Sequence, residues 1–535
     1  MEFDASVYPY ASRRRTIFAR KGMVCTGQPL AAQAGLRMLL QGGNAVDAAL
    51  AAAICLTVVE PTSNGLGSDA FALVWTGGKL YGLNDSGPAP GLLNREKVLD
   101  AGYREMPQRG WLPVTVPGAV AAWAELHRRF GRLSFAKLFE PALEYAREGF
   151  PVSPTIRKLW KAAEGTFAPY REDPAFAGLF ATFFPKGRAP EVGETVTLPD
   201  HARTLETLAQ TEGEEFYRGE LADRMDRFSR ETGGCLRKED LAAYQAEWVE
   251  PLHVDYRGYD VWEIPPNGHG ITALMALNIM QGFQLEQRET VDSWHKQIEA
   301  MKLAFSDAQH YVADPRFMHT RVEDLLSPAY ADQRRSLIGE QALLPHWGKP
   351  FSGGTVYLCA ADGEGNMVSF IQSNFRGFGS GIVIPGTGIA LNDRGNNFSL
   401  DPAMDNCLAP GKKPYHTIIP GFLTKDGQAV GPFGVMGGFM QPQGHLQVLL
   451  NTLDFHMNPQ AALDAPRWQW IEGKKVEIEA QAGPEIIEGL RQRGHEIVVK
   501  EDRTSFGRGQ IIWRRPDGTL VGATEPRTDG TVAAY

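Results

Sequence analysis

Cysteine is scarce in this sequence. Five are scattered over 535 residues (Cys25, Cys55, Cys235, Cys359 and Cys407), an odd number with no CxxC pair. That argues against a disulfide framework or a thiolate metal site and fits a reduced, cytoplasmic setting. The twelve histidines are dispersed and no HExxH spacing occurs, so no metal is expected. Positive charge is not in excess either: the net charge is -9 and the pI about 5.8, which makes nucleic acid an improbable partner. Arg13–Arg15 is the one notable basic cluster near the start and reads as a solvated arm. Long apolar runs are missing. The longest, Ala48–Val59, falls short of the roughly 20 residues of a membrane span, and Met1–Tyr10 has two acids and no apolar core of a secretory leader. There is no GxSxG elbow. Gly65–Ala70 has the letters of a dinucleotide loop but follows a helix pattern, so no organic cofactor is expected.

What is present is an ordinary globular composition, 43% apolar and 22% charged. Asn44, with Asp47 three residues on, predicts a helix start, and Glu60-Pro61 its end. Ala70–Trp75 and Lys79–Leu83 predict a hairpin across Gly77-Gly78. From Ser134 to Phe228 the spacing is helical, and Pro141, Pro151, Pro169, Pro185 and Pro199 should divide it into short helices. Trp294–Val312 predicts another helix. Leu343–Gly354 reads as an exposed connector that empties into alternating segments, Thr355–Ala361 and Met367–Ser373, joined by a turn.

A threonine directly after Gly353-Gly354 invites a chemical reading. A threonine hydroxyl inside a chain is a weak nucleophile that needs a base. If the preceding bond breaks, the new α-amine supplies one, with a pKa of about 7.7–8.0. The competing reading is a plain loop entering a sheet. Val430–Met440 offers Gly437-Gly438, whose adjacent amides suit an oxyanion; the competing reading there is a tight turn between strands.

Taken together, these segments resemble the γ-glutamyltransferase (glutathione hydrolase) family over nearly the whole chain. The resemblance is carried by Gly42–Pro61, Val116–Val120, Ala313–Pro315, Gly353-Gly354-Thr355, Phe378–Gly388, Ala465–Arg467 and Gly522–Arg527. It implies an α+β fold, a four-layer αββα sandwich of two stacked antiparallel sheets. It implies cleavage between Gly354 and Thr355 into a large subunit, 1–354, and a small one, 355–535, associated as a heterodimer within one interlocked domain. It further implies Thr355 as nucleophile, Ser373 as the hydroxyl that orients it, and Gly437 and Gly438 as the oxyanion hole.

The pocket departs from the family pattern. An arginine that grips the substrate α-carboxylate is replaced by Ser86, and the acid that pairs with the α-ammonium by Asn397. Its upstream partner aligns with Arg394, a neighbouring Asn with Phe375, and two serines with His416 and Thr417. The shorter loop from Asn397 to Lys412 implies a more open cleft. Acidic groups suited to an ammonium are lost while Arg394 offers a planar donor for a carboxylate. The resemblance thus implies γ-glutamyl amides such as glutathione as substrates, with glutaryl amides, as in the family's acylase-like variants, as the alternative. A surface or structural role for Arg394 also stays open. A rival of another class is a binding module that has kept the fold without the chemistry.

Overall fold

The computed structural model describes residues 14–345 and 354–535. The readings made on Met1–Tyr10, Arg13 and most of the connector Leu343–Gly354, Gly353 included, lie outside them. Two seven-stranded antiparallel sheets form the centre. The first runs Ile17–Ala19, Leu520–Thr524, Arg508–Arg514, Gln428–Met436, Gly421–Lys425, Tyr259–Glu263, Leu252–Tyr256. The second runs Thr531–Ala534, Gly22–Thr26, Gly354–Asp362, Met367–Phe375, Asp69–Thr76, Lys79–Asp85, Trp248–Val249.

Strand alternation assigns the layers. From Gly354–Asp362, the side chains of Tyr357, Cys359 and Ala361 enter the core between the sheets with Phe71, Ile371, Phe422 and Ile512. Val356, Leu358 and Ala360 face the other way, onto helices. The first sheet likewise turns Val261, Phe433, Val435 and Ile511 toward its own helices. Helices, sheet, sheet, helices: this is the expected αββα order.

The helix Ala45–Val59 is buried along its whole length, so it behaves as a core rod. Asn44 and Asp47 form a reciprocal cap at its start. The helix Pro29–Leu40 comes so close that a Cβ on Gly35 would stand 2.8 Å from the Ala48 carbonyl. The hairpin, the strand after the connector and the helix Val291–Tyr311 all form as the patterns predict.

Several readings need correction. Pro141 does not end a helix but lies inside Phe135–Glu148. An interior proline costs about 3 kcal/mol; burial of Phe135, Leu138 and Phe139 in the helical core offsets it at about 1.5–3 kcal/mol each. Arg14 is only half-exposed and donates to the Glu525 carbonyl at 2.7 Å, while Arg15 is exposed as expected. In the loop from Asn397 to Lys412, Phe398, Leu400 and Leu408 share an apolar cluster with Leu93, Val98 and Met106. Gly437-Gly438 joins a strand to the helix Met440–Leu453 rather than two strands.

The dispersed histidines also meet. Within one buried cluster His295 Nδ1 lies 2.8 Å from His495 Nε2, with Glu299 beside them. The Lys302 ammonium fills the remaining side, donating to Glu299 at 2.7 Å. Leu343 N–H donates to Glu299 and the Gly339 carbonyl meets His295, so this cluster pins the start of the connector. All five cysteines are free. Among the described residues no helix is long and apolar enough to cross a membrane.

Candidate active site

Thr355 sits at the beginning of the strand Gly354–Asp362 and is fully buried. Across the ladder Gly354 pairs with Phe375 but Val356 pairs with Gln372, so the facing strand bulges opposite Thr355. Bulges re-aim side chains, and here Ser373 Oγ comes within 3.0 Å of Thr355 Oγ1. The Phe375 amide donates to Ser373 Oγ at 2.8 Å. Phe375 itself has φ +78°, a costly conformation for a bulky residue and one that gathers at functional sites.

A third polar group converges on the threonine. Gln441, in the first turn of Met440–Leu453, reaches Thr355 Oγ1 with Nε2 at 3.5 Å, while its Oε1 accepts from Ile419 N–H at 2.9 Å. Sequence reasoning missed it; its place one turn after Gly437-Gly438 was the available signal. Those glycines have φ +142° and +61°, which favour glycine. Their carbonyls accept from Met440 and Gln441, so the turn runs directly into the helix start.

The readings on Arg394, Phe375, His416 and Thr417 also meet in space. Arg394 is wholly buried, not a surface residue. Its Nη1 donates to Thr417 Oγ1 at 2.6 Å, and its guanidinium lies 4.5 Å from the centre of the Phe375 ring. Asp69, unanticipated from the sequence, is the counter-charge: Arg394 Nε is 3.5 Å from Asp69 Oδ2, and His416 Nε2 is 2.8 Å from the same oxygen. Asp69 pairs with Ser373 in the sheet, so the nucleophile and this ion pair share one face. Two Arg394 donors, Nε and Nη2, are buried without a hydrogen bond, as is Asn397 Nδ2. Buried donors are rarely left so. Ser86 is occupied elsewhere, donating to Asn84 at 2.7 Å.

Burial sets the protonation states. It pushes the Asp69 carboxyl up to about 7, against the pull of Arg394. It holds His416 well below its usual value, with Arg394 adding to the effect, so the imidazole is neutral. Arg394 is lowered to about 10, also by burial, and stays charged. Near neutral pH the site therefore presents a hydroxyl pair, a glycine turn and a cation whose carboxylate partner is half protonated.

The segments Ala465–Arg467 and Gly522–Arg527 serve as framework: Arg467 and Arg527 both grip Glu525, at 2.9 and 2.6 Å. Comparison with known proteins gives the family and the fold. The family model for gamma-glutamyltranspeptidase matches residues 31–535. The glutathione hydrolase-like YwrD proenzyme of Bacillus subtilis is 35% identical, covering 96% of this chain and 99% of that protein. The acylase ACY 1 proenzyme of Pseudomonas sp. (strain SE83) is 34% identical, covering 99% and 96%. A crystal structure of cephalosporin acylase from Bacillus halodurans superposes with a TM-score of 0.97 at 60% identity, over 100% of this chain and 99% of that one. The fold is that of the N-terminal-nucleophile amidases, and the chain belongs to the gamma-glutamyltranspeptidase family.

Proposed function

We propose that this protein is an autoprocessing amide hydrolase and acyl transferase whose nucleophile is Thr355, freed by cleavage after Gly354, and whose acyl group ends in a carboxylate. The observation that carries it is Thr355 Oγ1 at 3.0 Å from Ser373 Oγ, on the same sheet face as a buried arginine whose Nη2 makes no hydrogen bond. In this reading the Thr355 α-amine takes the hydroxyl proton as Oγ1 attacks the substrate carbonyl. The Gly437 and Gly438 amides hold the developing oxyanion. The amine leaving group departs with the proton, and water or a second amine takes the acyl group from the threonyl ester. The two pieces of the cut chain stay together as a heterodimer.

Two acyl groups fit, and they differ only in an α-ammonium. γ-Glutamyl amides such as glutathione are favoured by the hydrolases among the relatives. Glutaryl amides are favoured by a specific observation: Asp69, the carboxylate beside Arg394, is already engaged by Arg394 and His416, and Asn397 carries no charge. Matched γ-glutamyl and glutaryl 4-nitroanilides distinguish them. We expect kcat/KM values within about tenfold of each other, as fits a site that reads the carboxylate and ignores the ammonium. A much larger preference for the γ-glutamyl compound would reject the glutaryl reading.

Asp69 gives this recognition a pH dependence. Below about pH 7 it is protonated, and Arg394 then faces a ligand carboxylate without competition from the Asp69 charge. As pH rises through 7, Asp69 ionises and competes. The inhibition constant of free glutarate should therefore rise on the order of tenfold from pH 6 to 8. In Asp69→Asn the curve should be flat over that range.

A further inference from the structure

The helix Val291–Tyr311 buries two neighbouring rows of side chains. Trp294, Ile298, Met301 and Phe305 enter the core behind the first sheet, and His295, Glu299 and Lys302 run one residue further round. With His495 these three form a buried polar cluster in which no member is more than 3% exposed. The lysine fixes the direction of the hydrogen bonds in it. An ammonium has three donors and no acceptor. Those of Lys302 meet Glu299 Oε1 at 2.7 Å, the Leu343 carbonyl at 3.3 Å and His495 Nδ1 at 3.4 Å. His495 Nδ1 is thus an acceptor, so its Nε2 carries the hydrogen and donates to His295 Nδ1 at 2.8 Å. His295 in turn donates from Nε2 to the Gly339 carbonyl at 2.9 Å. Glu299 Oε2 accepts from Leu343 N–H at 3.0 Å. Both imidazoles are neutral here, in keeping with burial, which lowers His295 to about 4 and, with the Lys302 charge, His495 to about 2.

Three of these bonds end on backbone atoms of one segment, Gly339–Leu343. Ala342 N–H adds a fourth tie, to the Arg493 carbonyl at 2.7 Å. That segment is the root of the connector. Leu343 stands twelve positions before Thr355, whereas Arg335, the end of the preceding helix, stands twenty. The cluster also straddles the proposed cut, because Arg493 and His495 follow Thr355 in the chain and the other groups precede it. Stability alone does not explain such a cluster. Burying a charged pair costs desolvation, and apolar side chains of equal volume would hold the helix as well. What the network adds is a fixed point of departure for the connector.

We infer that Lys302, with His295, Glu299 and His495, is a positioning device for self-cleavage: it holds the root of the connector against the later part of the chain so that Gly354 is presented to Thr355. The inference rests on the autoprocessing reading above. In that step the Thr355 hydroxyl adds to the Gly354 carbonyl, the Thr355 nitrogen takes the hydroxyl proton and leaves as the α-amine, and water frees the Gly354 carboxylate from the ester. The four side chains take no part in this chemistry and act only on where the connector starts. Without the anchor, the stretch to be brought to the nucleophile grows from twelve residues to twenty, which by length alone is worth about twofold in rate. Lost orientation accounts for the rest of the expected effect.

The test follows the two fragments with time, by intact mass, in freshly made full-length protein. We expect Lys302→Met to cut roughly three- to tenfold more slowly than wild type at pH 8. Once processed, it should hydrolyse an anilide with kcat/KM within about twofold of wild type. The cutting deficit should narrow at pH 6. Without the Lys302 charge the His495 pKa rises, and its imidazolium, 3.7 Å from Glu299, takes over as counter-ion as the pH falls. The other charges around the pair, Asp292, Lys474, Arg493 and Glu496, are the same in both proteins. Leu343→Pro removes the N–H that Glu299 accepts and leaves every charge in place. It should slow the cut equally at both pH values, and it carries the test if Lys302→Met does not fold. Three results overturn the inference: wild-type cutting rates in both variants, a Lys302→Met deficit that is the same at pH 6 and pH 8, or anilide turnover that falls in step with cutting. Failure of the autoprocessing reading looks different: the wild type itself stays whole, and the anchor then has no step to serve.

Discussion

Replacing Thr355 by alanine leaves the chain uncut and removes amide turnover by about 10⁴-fold or more. Both losses follow from one atom. In the proposed mechanism the hydroxyl that meets Ser373 at 3.0 Å attacks the Gly354 carbonyl in the precursor and the substrate carbonyl afterwards. Alanine keeps the strand, whose ladder runs through backbone groups, so the fold is expected to persist with an unchanged melting temperature within a few degrees. Thr355→Ser retains the hydroxyl and should still cut, more slowly. Intact-mass spectrometry of the three proteins reads the outcome: two wild-type fragments, the smaller beginning at Thr355, beside one full-length alanine variant. A wild type that stays whole would instead favour a binding module that kept the fold without the chemistry.

Arg394→Gln is the second large effect. We expect kcat/KM for a glutaryl anilide to fall roughly 10²–10³-fold, while a butyryl anilide, which lacks the carboxylate, changes little. A charge-assisted pair to a buried guanidinium is worth about 2–5 kcal/mol when one partner is removed, which covers that range. Glutamine is chosen because it can still donate to Thr417, as Arg394 Nη1 does. The partner left behind, Asp69, already sits near pH 7 in its titration and can remain protonated rather than buried as an unpaired charge. Equal losses on both anilides would show a structural role for Arg394 and remove the carboxylate from the substrate description.

Local features of the chain were legible where one residue's neighbours in sequence are also its partners. Asn44 and Asp47 cap each other three residues apart, the Gly77-Gly78 hairpin closes on itself, and the strand at Thr355 alternates as written. The groups that charge the site were not legible. Asp69 lies in the stretch whose glycines imitate a cofactor loop, and its partner His416 comes from 347 positions away. Arg394 carries no sign of its burial, because the carboxylate that pairs with it, Asp69, belongs to another segment. His295 and His495 look dispersed until a helix and a strand edge bring them together. Pro141 follows the same rule: its cost is local, but the packing that overrides it is not.

The order of strands has a temporal consequence. Of the twelve ladders in the two large sheets, five join a strand before Thr355 to one after it: Ile17–Ala19 with Leu520–Thr524, Tyr259–Glu263 with Gly421–Lys425, Gly22–Thr26 with both Thr531–Ala534 and Gly354–Asp362, and Asp69–Thr76 with Met367–Phe375. Neither half owns a complete sheet. Folding must therefore come before any cut, since a half made alone would meet water with bare edges and half a core. Once made, a break at Gly354 changes how many molecules the protein is without changing what it holds: dilution has no seam to open, and parting the two pieces is the same event as unfolding them.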